Sequence, residues 1–252
     1  MIKMYGLIGL AAALILSATP ALAENIYYKT EWEIAETLKI DTTGGEYVEE
    51  ISAFKAERGW TIAKSRLLPS GAAVLIGNAN DQHGRSFIAA GEEMVQLETE
   101  GPPTFCQATG DKNKFRCLVD KNRDGSFDGR FTLLNPTRLP IFDRRYERPT
   151  EPIVGGAYEI ILPSEMETLF FLELKYSDYS RKLGQADFEL NFVGPNDRVP
   201  IGPPISAKIS EFPVAMEIMG ADFVVWKPNP KDKKKLFFRS LSSFAAGNLG
   251  LR

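Results

Sequence analysis

Five oxygen-bearing residues stand at alternate places in one short stretch: Asp120, Asn122, Asp124, Ser126 and Asp128, within Asp120-Lys121-Asn122-Arg123-Asp124-Gly125-Ser126-Phe127-Asp128. Hard divalent cations take oxygen ligands. This spacing lets side chains at the first, third and fifth places converge on one ion while a glycine at the sixth permits a sharp turn. The seventh residue, Ser126, would contribute its carbonyl, and the ninth, Asp128, a further oxygen, often through water. The same residues also suit an Asx-rich hairpin, with Asp124-Gly125 as a type I′ turn between two strands.

Over these nine residues the stretch resembles the opening of an EF-hand or dockerin-type calcium loop. The resemblance implies a bound calcium ion in a structural role. The chain departs from the pattern at the twelfth place, where such loops carry a bidentate carboxylate and Phe131 stands here. No helical pattern flanks the loop. A calcium site would need a carboxylate from elsewhere or would be weak.

Nucleophilic chemistry finds little material. His83 is the only histidine, and it lies in the loop-like Asn78-Ala79-Asn80-Asp81-Gln82-His83-Gly84-Arg85, a setting that favours a solvated turn residue over a catalytic base. No G-x-S-x-G elbow occurs. Ser52-Ala53-Phe54-Lys55 matches S-x-x-K but sits in a strand pattern and lacks a companion K-T-G. Asp41-Thr42-Thr43-Gly44 misses a contiguous Asp-Thr-Gly by one residue. Carboxylate-pair hydrolysis needs only two acids set about 5 to 9 Å apart by the fold, and 33 acidic residues leave that open. Tyr27, Tyr28, Trp32, Trp60, Tyr176, Tyr179 and Trp226 could build a sugar platform, although packing is the commoner use of such rings.

Residues 1–23 read as a secretory signal peptide: Lys3, an apolar run from Gly6 to Leu16, and Ala21-Leu22-Ala23 as the cleavage site. The mature chain is then expected to begin near Glu24 and to be secreted, in the periplasm or outside the cell. No later stretch is long and apolar enough to form a membrane helix. A net charge of −3 gives no footprint for nucleic acid, and Lys231 to Lys235 reads as a solvated loop. In an oxidising compartment the two cysteines, Cys106 and Cys117, are expected to form a disulfide tying neighbouring strands.

Those motifs must be carried by strands, because the dominant period is two. Asp187 to Phe192, Leu172 to Tyr176 and Val214 to Ile218 alternate strictly between apolar and polar residues. Further strands are expected at Val48 to Phe54, Trp60 to Leu67, Ala72 to Ile76, Ser86 to Ala90, Met94 to Leu97, Phe115 to Val119, Phe131 to Leu134, Tyr158 to Leu162, Phe223 to Trp226 and Leu236 to Arg239. Turn formers separate them. The expectation is a mainly β, antiparallel, sandwich-like protein in two β units: residues 24–136 with the disulfide and the Asp-rich loop, and 151–240, joined by a proline-rich linker at 137–150 and followed by a tail at 241–252. One large sandwich crossed by the proline-rich stretch is the alternative. The function expected is that of a non-catalytic envelope protein that binds a protein or glycan partner or serves structurally. A secreted carboxylate hydrolase acting on glycan or peptidoglycan is the alternative.

Overall fold

The computed structural model describes residues 26–37, 46–48, 53–56, 58–111, 114–135, 137–146, 150–180, 182–208, 213–226, 236–242 and 244–249. Residues 1–25, Asp41 to Gly44, Ser52 and Lys231 to Lys235 lie outside them. The protein is mainly β, and the sheets are antiparallel. The strands are β1 (Ile26–Lys29), β2 (Trp32–Thr37), β3 (Glu46–Val48), β4 (Ala53–Ala56), β5 (Thr61–Pro69), β6 (Ala72–Leu75), β7 (Ala79–Asn80), β8 (Ser86–Ile88), β9 (Glu93–Leu97), β10 (Thr104–Gln107), β11 (Lys114–Val119) and β12 (Gly129–Leu134). They continue with β13 (Asp143–Tyr146), β14 (Glu151–Pro152), β15 (Val154–Gly155), β16 (Tyr158–Ile161), β17 (Phe170–Ser180), β18 (Gln185–Val193), β19 (Arg198–Pro200), β20 (Ile205–Lys208), β21 (Val214–Ile218), β22 (Ala221–Trp226), β23 (Leu236–Ser240) and β24 (Gly247–Leu249).

The Asp-rich loop belongs to a sheet that curls until its edges meet. Its order is β14-β12-β11-β10-β9-β6-β16, so β14 and β16, six residues apart in sequence, occupy opposite edges. In a flat sheet, strands three places apart lie about 14 Å from each other. The rings of Phe105 on β10 and Tyr158 on β16 are only 5.4 Å apart. The face carrying them is therefore concave, and it encloses Ala73, Leu75, Met94, Phe105, Leu118 and Phe127. The three-stranded sheet β15-β7-β8 contributes Ala79 and Ile88 to the same cluster. On the convex face the β1–β13 ribbon lies over Cys106, Cys117, Phe115 and Phe131, with Tyr28 stacked on Phe131 at 5.0 Å. Cys106 pairs in register with Cys117 across β10 and β11, and the two form the expected disulfide, wholly buried.

The remaining strands make a sandwich. One sheet runs β19-β18-β17-β5-β2-β24 with β20 also on β18, and the other runs β21-β22-β23-β4-β3. Alternation places Leu172, Leu174 and Tyr176 of β17 and Phe188, Leu190 and Phe192 of β18 on the inner face. There Phe188 meets Phe223 at 5.6 Å and Tyr176 meets Phe238 at 5.4 Å. Each such side chain contributes about 1.5–3 kcal/mol on burial.

The boundary expected at the proline-rich stretch is not where the sheets divide. β5 pairs with β17, β4 with β23 and β2 with β24, so strands before residue 70 complete the sandwich built by those after 169. The curled sheet, β6 to β16, is inserted between β5 and β17. Residues 143–146 of the supposed linker form β13 against β1.

One turn breaks the usual residue preference. β21 and β22 are joined by Met219 and Gly220, both at positive φ (53° and 79°), the backbone of a type I′ hairpin turn. Asn or Gly is favoured at its first central position, and other residues lie there at a cost. Met219→Asn is expected to raise stability by about 0.5–1 kcal/mol, read as a higher urea midpoint at unchanged slope. An unchanged or lower midpoint would refute this.

Candidate functional site

The nine residues Asp120 to Asp128 connect β11 to β12, and Phe131, at the twelfth place, is a core aromatic on β12 only 5 % exposed. Asp120 is 1 % exposed. Its Oδ1 accepts the Asp124 amide at 3.2 Å, and its Oδ2 accepts the Gly125 amide at 3.1 Å and the Tyr158 hydroxyl at 2.9 Å. Asn122 Oδ1 also accepts the Asp124 amide, and Asp124 Oδ1 accepts the Ser126 amide. Asp128 turns back so that its Oδ2 takes the amides of Lys121 and Asn122. Gly125, at φ 84°, and Arg123, at φ 61°, supply the reversals this winding needs.

The loop docks on the segment that joins β14 to β16. Ile153 N–H donates to the Asp128 carbonyl, Phe127 N–H to Gly156, and Tyr158 N–H to Gly125, with a bridge between Ser126 and Ala157. Phe127 stacks on Tyr158 at 4.3 Å. Residues 151–158 therefore run antiparallel along 125–130, and the loop is the seam that closes the curled sheet. Burial pushes the Tyr158 hydroxyl far above the usual tyrosine range, and its bond to the Asp120 carboxylate adds to this. It stays protonated and keeps donating.

Calcium fits this loop only in part. The oxygens named from the sequence are gathered in one turn, but the twelfth-place carboxylate is absent. Among the described residues no three His, Cys, Asp or Glu side chains come together as a metal-holding group. The acids are occupied by main-chain amides, so an ion would have to draw on their remaining lone pairs.

Other acids are similarly engaged. Asp81 organises the loop before β8: its Oδ1 accepts the amides of His83 and Arg85, and its Oδ2 accepts Arg85 Nε at 2.8 Å. The Arg85 amide is the main cause holding the Asp81 carboxyl below its usual range. His83 is an exposed member of that turn. A polar cleft of about 360 Å³ is lined by Glu92, Glu93 and Glu167, but both oxygens of Glu93 are taken, by the amides of Glu167 and Thr168. Glu173 is paired with Arg198 at 2.9 Å and accepts from Thr61 at 2.6 Å. The sugar-platform aromatics are not brought together: Tyr28, Trp32 and Tyr176 are core, Trp60 and Tyr179 pack against it, and Tyr27 is exposed and donates to Asp143. The side chain of Trp226 lies outside the described residues.

The fold and the loop define a mainly β protein with one cross-strand disulfide and an acid-rich seam. The chain matches no protein-family description, no curated protein and no solved structure. No helix among the described residues is long and apolar enough to cross a membrane.

Proposed function

We propose that this protein is an exported, non-catalytic β-rich component of the cell envelope that binds a protein or glycan partner or serves structurally, with calcium as a structural ion of the Asp120–Asp128 loop. The observation that carries the reading is how the acids are used. Asp81, Asp120 and Glu173, the buried acids among the described residues, each meet donors from their own fold and act as fasteners. The leader pattern at residues 1–23 supports export.

When bound, calcium supplies positive charge between acids that otherwise repel one another. Asp120, Asn122, Asp124, the Ser126 carbonyl and Asp128 would hold it. Lacking the twelfth-place carboxylate, the loop belongs with the weak extracellular class, Kd about 10⁻⁴–10⁻³ M. With a Kd of about 1 mM, 10 mM calcium stabilises the native state by about 1.4 kcal/mol. The melting temperature, compared with that in chelator, should then rise by about 3–5 °C. The rise should vanish in Asp124→Ala. No rise, or an equal rise in that variant, would overturn the calcium assignment.

A further inference from the structure

Two strands that follow each other in sequence, β20 and β21, lie on the same flank of the sandwich, one in each sheet. Phe188 of β18 meets Phe223 of β22 across the core, and Tyr176 of β17 meets Phe238 of β23. β18 thus lies over β22 and β17 over β23, which puts β20, beyond β18, on the side of β21, beyond β22. Core side chains reach the surface between these two edges. Ile205 and Ala207 of β20 and Val214 and Met216 of β21 pack on the main core yet are only half-buried.

β21 is also the longest edge strand among the described residues. The chain reverses at Met219-Gly220, so Ile218 and Ala221 form the hydrogen-bonded pair beside the turn. Met216 and Val214 then bond towards β22 as well, and the N–H and C=O groups of Ala215 and Glu217 point away from the sheet. The Leu241 amide, which donates to the Asp222 carbonyl from the β23 side, fixes the same phase. Other edges are blunted. Pro200 interrupts β19 and Pro152 ends β14, while on β16 the amides of Leu162 and Tyr158 are taken by the Glu165 carboxylate and the Gly125 carbonyl. β21 holds no proline, and an open edge is a template for another strand.

We infer that β21 pairs antiparallel with β21 of a second copy of this chain, about a twofold axis at Met216. The residues of the strand select that occupant. With Met216 opposite Met216, Ala215 of each copy stands opposite Glu217 of the other, and each such pair exchanges both of its N–H···O=C bonds. Val214 faces Ile218, so the half-buried apolar side chains cover one another. Each Glu217, which already has Asp222 beside it on β22, meets an alanine. The neighbouring registers are worse. One sets Glu217 against Glu217, and the other sets it against Pro213, which has no N–H to give. The same axis turns β20 towards β20 in the other layer, which covers Ile205 and Ala207. A strand of unrelated sequence would gain the main-chain bonds without this matching of side chains.

The test is sedimentation velocity on the full mature chain, from about 5 μM to about 500 μM, the range in which a small interface assembles. It is run in chelator, so that its outcome is separate from that of the calcium loop. The mass should rise from monomer to dimer and stop there. Ala215→Glu sets like charges face to face at both ends of the pairing and should weaken the dimer about tenfold. Ala215→Lys, facing Glu217 instead, should tighten it. Ala215→Pro removes an outward amide without touching the ladder to β22 and should leave only monomer. Ile160→Glu, 62 % exposed on the edge of β16, should change nothing. Ala215 is itself exposed, and a melting curve on each variant separates a lost dimer from a lost fold. Monomer at every concentration, assembly that grows past the dimer, the same response to Ala215→Glu and Ala215→Lys, or an equal loss in Ile160→Glu overturns the inference.

Discussion

Replacing Asp120 with alanine is expected to destabilise the protein by about 3 kcal/mol, the largest effect of any single loop substitution. Three donors lose their acceptor at once: the amides of Asp124 and Gly125 and the hydroxyl of Tyr158. The carboxylate is 1 % exposed, so water does not simply take its place. A buried donor left unmatched costs about 1–3 kcal/mol, and some of the sum is recovered as the exposed residues 121–125 relax. For a chain of this size the melting temperature should fall by about 6–12 °C. Asp111→Ala, an exposed acid outside the seam, should shift it by less than about 2 °C. Equal shifts in the two variants would remove the seam from this account.

The second large effect is an asymmetry. Glu173 and Arg198 face each other on the outer side of the sandwich, Nε to Oε2 at 2.9 Å, with side-chain exposures of 5 % and 46 %. Arg198→Ala should cost about 3 kcal/mol, because it strands a buried carboxylate with Thr61 as its remaining side-chain donor among the described residues. Glu173→Leu should cost about 1 kcal/mol or less, because a half-exposed arginine turns back into water. Urea unfolding of the two variants decides the matter. Equal costs, or a larger cost for Glu173→Leu, would mean that Glu173 is not a fastener.

Much of the β character was legible because burial on one face forces a period of two. Val214–Ile218 falls on β21, and Asp187 to Phe192 lies within β18. Asn191 departs from the pattern: it sits on the polar side of its strand yet is 2 % exposed, in the sheet that also buries Glu173. Thr104–Gln107 was missed because four residues behind Pro102-Pro103 carry too little pattern to read. It proves to be the partner strand of the disulfide. The strand pairing across residues 137–150 is hard to read from sequence for a different reason. Proline content reports where a chain cannot pair centrally, but which strands pair depends on contacts such as β5 with β17, about a hundred residues apart. Nothing local encodes those. Likewise the spacing of Asp120 to Asp128 announced a tight oxygen-rich turn, while its docking on residues 153–158 depends on the curl of the whole sheet.

The seam itself is most directly tested by native-state hydrogen exchange, residue by residue, on the parent chain and on Asp120→Ala. In the variant the amides of Phe127, Ile153 and Tyr158, which bond across the closure, are expected to lose protection well before those of Leu118 and Phe105 inside the sheet. If all five amides lose protection together, or if the first three exchange as slowly as in the parent, then Asp120 does not hold the edges of the sheet closed.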